Sequence, residues 1–387
     1  GNTYTNNNKS DLALKTYDQL ISEFKNGSFA AKAILRQGLI YYNDNKPQLA
    51  ITKLKKVAAE YPRTPESLEA VNTARQIYVD TGNVNEYADW VKTLDYVEVS
   101  DADLDNTSYE SAEKQYLQNN PKGAITGFSN YVTRFPNGIH SLKANFYLAQ
   151  LYFADGLENN AIPHYEFVAS KPRSEFTEQS LARLTEIHLK KKDYAKAIPA
   201  LKRLETEADF PQNITFAQSN LMKSYYEQKD YTNAVLYADK VLANPKVDDR
   251  IKSDAQMIVA RSAIKTNDEA KAKAAYVKLQ TIAKGELAAE ALYYDAYFKN
   301  KEGKYEPSNV VIQKLAKDYS GYKYFSAKGL TLMAKNFYAL NDSFQATYIL
   351  ESVIKNFTDY SDVVEEAQKE LDAIKAEESK RNSSIQN

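Results

Sequence analysis

The chain has 387 residues, of which 43% are hydrophobic, and it balances 50 Lys and Arg against 51 Asp and Glu. This near-neutral charge gives no bulk field that would attract polyanions, so we expect no nucleic-acid partner. The chain contains no cysteine, which excludes disulfides, thiolate nucleophiles and thiolate metal ligands. Its 12 Gly and 11 Pro are too few for a collagen-like or linker-rich chain, so the composition predicts an ordered, helix-rich protein.

The N-terminal stretch GNTYTNNNKSD has neither the basic region nor the apolar region of a signal peptide, and it opens on Gly rather than Met. No apolar run approaches the roughly 18 residues that cross a bilayer, so we predict no transmembrane segment in the sequence. We expect a processed or truncated chain, and a signal peptide or lipid anchor upstream of it is compatible with these residues.

A stripe of three residues recurs along the chain: a small residue, a large residue four positions later and an apolar residue seven positions later. Because an α-helix has 3.6 residues per turn, these three positions lie on one face of a helix. The first residues of the ten stripes, which we call anchors, are Ala13, Ala50, Tyr87, Ala124, Ala161, Ala197, Ala234, Ala272, Ser308 and Ala346. Successive anchors are 36 to 38 residues apart, so each stripe is predicted to be the buried face of the second helix of a repeated hairpin. Tyr87 and Ser308 are not small apolar residues, and they mark two irregular repeats.

Turn residues such as Asn45, Gly82 and Asn119 precede the anchors, and prolines such as Pro62 and Pro136 follow them, so each unit is predicted to be helix, turn, helix and loop. The predicted units of a single solenoid over residues 1–387 are a lone second helix at 11–25, then hairpins at 28–62, 65–99, 104–136, 138–172, 175–211, 214–245, 249–284, 286–320 and 322–358, and a capping helix at 361–381. The capping helix is predicted to pack a stripe of Val364, Ala367, Leu371 and Ile374, with residues 382–387 frayed and a turn at residues 6–10.

One hairpin carries a motif. Its residues are Gly38, Tyr41, Ala50, Leu54, Val57 and Pro62. Their spacing resembles the tetratricopeptide repeat (TPR), and this resemblance implies an all-α, right-handed superhelix of about ten helical hairpins. The units of 36 to 38 residues, with endings such as Tyr61-Pro62, resemble TPR proteins of bacterial envelopes, namely outer-membrane assembly lipoproteins and the Tol-Pal accessory family. That resemblance implies the periplasm or the periplasmic face of the outer membrane, with the cytoplasm as the alternative.

The candidates for chemistry are few. The three histidines, His140, His164 and His188, fall at different positions of their repeats, which argues against a metal site. The sequence has no G-x-S-x-G, G-x-G-x-x-G, G-x-x-x-x-G-K-[ST] or H-E-x-x-H motif. We therefore predict that the chain is not an enzyme and that it binds no metal or other cofactor.

The TPR resemblance also implies a concave groove, lined by first-helix residues 18, 15, 11 and 8 positions before each anchor. The predicted peptide-binding residues at these positions are Tyr109, Tyr116, Phe146, Gln150, Phe153, Phe216, Lys223, Tyr226, Arg261, Tyr293 and Tyr297. Such a mixture suits a peptide, because rings supply contact area and amides satisfy a peptide backbone. The alternative is that these aromatic residues pack between neighbouring first helices.

Three functions fit this architecture. The first is a non-enzymatic scaffold that binds a partner protein or peptide in the concave groove, in a bacterial envelope. The second is a structural subunit of a larger assembly, with its outer surfaces covered by fixed partners. The third is the regulatory arm of an enzyme whose catalytic domain lies outside these residues.

Overall fold

The structure is a computed structural model that describes residues 1–6, 9–25 and 27–385, with side chains as far as residue 381. Over these residues it contains 21 α-helices and no β-strand, so the predicted all-α fold is confirmed. The helices are α1 (Asn2–Asn6), α2 (Ser10–Glu23), α3 (Ser28–Asn43), α4 (Pro47–Glu60), α5 (Pro65–Thr81), α6 (Val84–Val91), α7 (Asp101–Leu117), α8 (Pro121–Arg134), α9 (Ser141–Ala154), α10 (Glu158–Ser170), α11 (Thr177–Lys190), α12 (Tyr194–Glu207), α13 (Pro211–Glu227), α14 (Tyr231–Ala243), α15 (Asp249–Lys265), α16 (Glu269–Ile282), α17 (Glu286–Lys301), α18 (Tyr305–Asp318), α19 (Lys323–Ala339), α20 (Ser343–Asn356) and α21 (Ser361–Ile385).

The chain forms two compact units, residues 1–187 and residues 188–387, with the boundary inside α11. Unit 1 contains the hairpins α1–α2, α3–α4, α5–α6, α7–α8 and α9–α10, together with most of α11. Unit 2 contains the end of α11, then α12, the hairpins α13–α14, α15–α16, α17–α18 and α19–α20, and finally α21. The single solenoid and its repeat boundaries therefore remain a prediction.

The anchors form the cores of the hairpins. All ten are buried, and so are their partners seven residues on, except Leu20 and Leu94, which are half-buried. The two irregular anchors make specific contacts in the core. The centroid of the Tyr87 ring lies 6.2 Å from that of Tyr78. The Ser308 hydroxyl donates a hydrogen bond to the Ala296 carbonyl at 2.8 Å. The buried stripes predicted from the sequence are thus confirmed.

The turn inside each hairpin has a fixed geometry. Five residues before each anchor from Ala50 onward, the backbone adopts a left-handed conformation with φ between 56° and 78°. These residues are Asn45, Gly82, Asn119, Gly156, Lys192, Lys229, Asn267, Gly303 and Asn341. Asn and Gly tolerate this conformation, which explains why turn residues recur at this point of the repeat. Aspartates such as Asp193 and Asp230 then cap the second helix, because a side-chain oxygen accepts from the backbone N–H three residues on.

Three details differ from the sequence prediction. Helix α6 ends at Val91, so the second helix of that repeat is short and residues 92–100 form an irregular connection. The buried stripe of α21 begins at Val363, four residues before Ala367, and Val364 is only half-buried. Helix α21 continues to Ile385, so the fraying predicted for residues 382–385 is wrong. The predicted turn at residues 6–10 includes residues 7 and 8, and the predicted frayed end includes 386 and 387; these four residues lie outside those described.

Within each unit several successive first helices contact one another. Helix α3 contacts α5 and α5 contacts α7 in unit 1, while α13 contacts α15 and α17 contacts α19 in unit 2. Successive second helices approach one another less closely over the described residues. The exposed faces of these first helices therefore lie next to one another.

We expect Ala124→Leu and Ala161→Leu each to lower the free energy of unfolding by about 1–3 kcal/mol, because a larger side chain overpacks a close contact between helices. Helices α7 and α8 approach each other closely, because a Cβ atom added to Gly127 on α8 would lie 2.9 Å from the Cα of Ala112 on α7. Ala376→Leu is the control, since Ala376 is exposed on α21. Equal urea midpoints for all three variants would contradict the placement of the anchors.

Candidate functional site

The predicted peptide-binding residues all lie on first helices. Tyr109 and Tyr116 are on α7; Phe146, Gln150 and Phe153 on α9; Phe216, Lys223 and Tyr226 on α13; Arg261 on α15; and Tyr293 and Tyr297 on α17. The first two helices belong to unit 1 and the other three to unit 2. Their side chains fall into two groups, one buried between helices and one partly exposed.

Tyr109 belongs to the buried group in unit 1. Its ring stacks on that of His140 with centroids 4.2 Å apart, and its hydroxyl donates to Glu113 at 2.9 Å. Lys143 donates to the same carboxylate at 2.9 Å, with its ammonium 5.4 Å from the Tyr109 ring centroid. Burial, and after it the hydrogen bond to Glu113, raises the pKa of the Tyr109 hydroxyl well above its usual value. This closed set of contacts holds α7 to α9 and leaves Tyr109 inaccessible to a ligand. Phe146 is buried as well, against Phe176 at 4.7 Å.

The partly exposed group in unit 1 forms what we call the aromatic shelf: Tyr116, Tyr147, Gln150, Phe153 and Phe176. Tyr116 is 37% exposed, and its ring lies 4.9 Å from that of Tyr147 on the next first helix. Tyr147 in turn lies 6.4 Å from Phe176, which precedes α11. Phe153 is half-buried at the other end of α9. The shelf thus presents ring surface across three successive first helices or their approaches.

Gln150 occupies the middle of α9, one turn before Phe153. It is half-buried, and its amide Nε2 is enclosed without any hydrogen-bond partner in the part of the chain that the structure describes. An enclosed amide donor without an acceptor costs about 1–3 kcal/mol, so such groups are rare outside functional or hydrated sites. Gln150 is one of several described residues with an enclosed polar side-chain atom that has no hydrogen-bond partner.

In unit 2 the two cationic residues predicted to bind a peptide, Lys223 and Arg261, form ion pairs with carboxylates of the protein itself. Lys223 lies 2.6 Å from Asp254 on the next first helix. Arg261 makes two hydrogen bonds to Glu290, at 2.9 Å and 2.5 Å, and Glu290 is only 3% exposed. Tyr276 donates to the same carboxylate at 2.8 Å, and burial followed by the charge of Glu290 raises the pKa of its hydroxyl. These cations hold successive first helices together.

The aromatic residues predicted to bind a peptide in unit 2 also include one buried ring and several partly exposed rings. Tyr293 is buried against Phe325 at 6.2 Å, with the Lys328 ammonium 4.8 Å from its ring centroid. Phe216, Tyr226 and Tyr297 are half-buried. The alternative drawn from the sequence, packing between first helices, thus describes Tyr109, Phe146 and Tyr293, while the remaining candidates keep some accessible surface.

Sequence reasoning missed Tyr147 and Phe176, because neither lies at one of the four groove positions. It also missed ion pairs that join several of the successive first helices within each unit, and that join α19 to α21. These pairs are Lys32–Glu66, Arg75–Glu110, Lys114–Asp80, Lys143–Glu113, Lys223–Asp254, Arg261–Glu290 and Lys335–Glu366. Opposite charges about one repeat apart on first helices were the signal that could have revealed them.

No cluster of three metal-ligating His, Cys, Asp or Glu side chains occurs among the described residues. His140 pairs its Nε2 with Asn106 at 2.8 Å, and His164 pairs its Nδ1 with Asn145 at 2.7 Å. Burial lowers the pKa of His164. As far as the described chain extends, none of its helices combines the length and the apolar character needed to cross a membrane.

The chain is similar to known proteins that contain helical repeats. Residues 32–64 match the family model of the tetratricopeptide repeat. No curated protein matches the chain in sequence. Among solved structures, a tetratricopeptide repeat protein from Parabacteroides merdae is similar at 14% identity over 68% of this chain and 98% of its own, with a TM-score of 0.34. Yeast Tom70 is similar at 12% identity over 100% of this chain and 97% of its own, with a TM-score of 0.37. PilW, a type IV pilus biogenesis factor, is similar at 14% identity over 68% and 97%, with a TM-score of 0.28.

The family match falls on α3 and α4, the hairpin whose residues carry the motif found in the sequence. Its geometry, with a buried anchor on the second helix and a left-handed residue five positions earlier, recurs in each later repeat, where the anchor is small except at Tyr87. The chain therefore carries a tetratricopeptide repeat at residues 32–64 and has the all-α hairpin-repeat fold of tetratricopeptide-repeat proteins.

Proposed function

We propose that the chain is a non-enzymatic scaffold that binds a partner protein or peptide against the exposed faces of its first helices. The observation that carries this proposal is the set of partly exposed rings and amides on those helices. Phe153 and Gln150 in unit 1 and Tyr226 in unit 2 are examples. Rings of this kind supply most of the energy in many protein interfaces, and amides satisfy a peptide backbone.

The test is affinity purification of the full chain from its native source, followed by replacement of Phe153 and Tyr226 with Ala. Aromatic anchors commonly cost about 2 kcal/mol or more on truncation, so we expect the partner to bind at least about tenfold more weakly. Phe344→Ala together with Tyr348→Ala is the matched control, because these rings are exposed on the second helix α20.

Circular dichroism melting of both double variants separates binding from stability. The proposal requires the groove variant to lose the partner while it stays folded at the assay temperature. Loss of the partner in the control alone, or retention of the partner by a groove variant that melts much earlier, would place the binding surface elsewhere and assign Phe153 and Tyr226 to packing.

We propose the periplasm, or the periplasmic face of the outer membrane, as the setting. The support is the resemblance of the long units with aromatic-Pro endings, such as Tyr61-Pro62, to envelope TPR proteins. Fractionation of the source cells tests this directly: the protein should be released with the periplasm or recovered with outer membranes. Recovery with the cytosol would contradict it.

A second function, a structural subunit of a larger assembly, is favoured by one observation in unit 2. Leu236, Val310 and Tyr348 each lie two residues after an anchor, on the outer side of their second helices, and they are 51%, 64% and 64% exposed. Four of the five corresponding residues of unit 1 are polar, namely Lys15, Thr52, Asp89 and Thr126, and the fifth is Pro163. Loss of a native partner in the Phe344/Tyr348 control variant, with the groove variant unaffected, is the result expected of this second function.

A further inference from the structure

Four second helices of unit 2 carry large apolar side chains on the side that faces away from the core. Each residue of an α-helix is turned by about 100° from the one before it, so residues two positions from an anchor, or five after it, lie nearly opposite the buried stripe. The exposed residues at these positions are Leu236 on α14, Val277 on α16, Val310 on α18, and Phe344 and Tyr348 on α20. We call this side of the four helices the outer face of unit 2. Several exposed apolar side chains on one side of a protein mark an interaction surface.

These four helices follow one another as a row. Helix α15 packs against both α14 and α16, α17 against both α16 and α18, and α19 against both α18 and α20. An ion pair between Asp239 and Lys271, 4.0 Å apart, also joins α14 directly to α16. The exposed apolar side chains therefore belong to one surface of unit 2.

The outer face also carries lysines that have no carboxylate partner in the described part of the chain. They are Lys278, Lys314, Lys317 and Lys355, and all of them are exposed. Lys314 and Lys317 lie four and seven residues after Val310, a spacing that places the three side chains on one side of α18. Lys355 lies seven residues after Tyr348 on α20 in the same way. Cations without a partner are available to contact an anionic surface.

The acidic residues of these helices leave an excess of positive charge. Three of them pair with lysines, namely Glu269 with Lys301, Asp239 with Lys271 and Glu351 with Lys375. Glu306 and Asp318 on α18 are the acids of the four helices that have no ion pair among the described residues. Four unpaired lysines are thus present with two unpaired acids, although the chain as a whole has a formal net charge of -1.

An anionic lipid bilayer fits this surface better than a protein does. The apolar side chains stand one or two to a helix and are accompanied by lysines, and lysine is depleted in the centre of protein interfaces. A bilayer accepts separated apolar side chains, because its headgroups and acyl chains rearrange around each of them. Lysine suits the same boundary, since its methylene groups lie along apolar surface while its ammonium group reaches the lipid phosphates.

We propose that the outer face of unit 2 adsorbs on the surface of an anionic lipid bilayer. Its apolar side chains enter the headgroup region, and Lys278, Lys314, Lys317 and Lys355 contact lipid phosphates. This inference goes beyond the proposed scaffold function, which uses the first helices. It also assigns to a lipid surface the face that a structural subunit would offer to a protein.

The experiment is sedimentation of the full chain with vesicles of phosphatidylcholine alone, or of phosphatidylcholine with about one third phosphatidylglycerol. We expect adsorption to the anionic vesicles at low salt, and adsorption at least about tenfold weaker to the neutral vesicles. High salt should also weaken adsorption to the anionic vesicles, because ions screen the attraction between lysines and phosphates.

Lys314→Gln together with Lys317→Gln is the decisive variant. Each lysine close to an anionic surface strengthens adsorption about fivefold, so we expect this double variant to bind the anionic vesicles at least about tenfold more weakly. Lys15→Gln together with Lys122→Gln is the matched control, because both lysines are exposed on second helices of unit 1 and neither forms an ion pair within the described chain. The control removes the same charge and should adsorb as the unmodified chain does.

Phe344→Ala together with Tyr348→Ala tests the apolar contribution. We expect at least about a tenfold loss of adsorption, because both rings would otherwise leave water for the headgroup region. All the substituted side chains are exposed, so circular dichroism should show that every variant remains folded.

Three results would overturn the inference: no adsorption to the anionic vesicles, equal adsorption by the two lysine variants, or adsorption that Phe344→Ala with Tyr348→Ala leaves unchanged. Sedimentation without vesicles tests a second copy of the chain as the occupant. A dimer that the Phe344 and Tyr348 substitutions dissociate would assign the outer face to that copy and would also overturn the inference. The scaffold function is tested separately, through Phe153 and Tyr226 on the first helices.

Discussion

We expect Phe128→Ala to lower the free energy of unfolding by about 3–5 kcal/mol, the usual cost of removing a fully buried ring. Phe128 has no exposed surface, and it lies on the second helix α8, four residues after an anchor. Its ring packs 5.9 Å from Tyr109, 5.8 Å from Tyr147 and 6.4 Å from Tyr116. Three rings of two first helices therefore pack on it, and they could close the resulting cavity only if the helices moved closer together.

Phe344→Ala is the control for this substitution, because Phe344 is 76% exposed on α20 and its removal should change stability by less than about 0.5 kcal/mol. Urea unfolding followed by circular dichroism measures both variants. Because repeats unfold partly as local groups, the Phe128 variant should weaken or split the transition of unit 1 rather than shift every transition equally. Coincident curves for the two variants would show that Phe128 is not central to the core.

The hairpins could be predicted from the sequence because a small number of local rules fix them. A stripe such as Ala161, Tyr165 and Val168 specifies which face of a helix is buried, and all three residues are completely enclosed. Asn119 lies five residues before its anchor and has a left-handed backbone conformation. Asn is one of the few residue types that adopt this conformation with little steric strain. Each rule involves residues that are close in sequence, so their spacing alone reveals them.

The exposure of the candidate site could not be predicted in the same way. Tyr109 and Tyr116 lie on one face of α7 and at equivalent kinds of groove position, yet the first is 4% exposed and the second 37% exposed. The difference comes from the next hairpin, where His140 stacks on Tyr109 and Lys143 lies over it. Contacts between repeats depend on the distance and angle at which hairpins stack, and the spacing of residues within one repeat carries no information about either.

Residue spacing also fails to predict some details near the ends of helices. Helix α21 begins at Ser361, the first residue of the capping helix expected from the sequence, yet Val363 is buried and Val364 only half-buried. Both valines lie one turn before Ala367, at spacings of four and three residues, so the helical period alone does not decide which of them is covered. Helix α6 ends early for reasons that the apolar pattern of Tyr87 and Val91 does not show.

We expect Arg261→Met to lower the free energy of unfolding by about 3 kcal/mol, the low end of the cost of removing one partner from a buried ion pair. Glu290 is almost completely buried, and without Arg261 its carboxylate would keep only the hydrogen bond from Tyr276. The Arg261 side chain is itself 37% exposed, which is why we place the cost at the low end. The partnership with Glu290 raises the pKa of Arg261, so the guanidinium is fully charged at any pH used in a stability measurement.

Lys223→Met provides the comparison, because Lys223 and Asp254 form an ion pair between successive first helices in the same unit, with side chains 48% and 31% exposed. Exposed pairs are typically worth less than about 1 kcal/mol, so this variant should unfold at nearly the urea concentration of the unmodified chain. The double variant Arg261→Met with Glu290→Gln tests the cause. If the cost of Arg261→Met comes from an unpaired buried carboxylate, removing that charge should restore part of the lost stability, since contacting residues are not additive. Equal destabilisation by Arg261→Met and Lys223→Met, or a double variant as unstable as the sum of its two single changes, would show that the buried pair is not what joins α15 to α17.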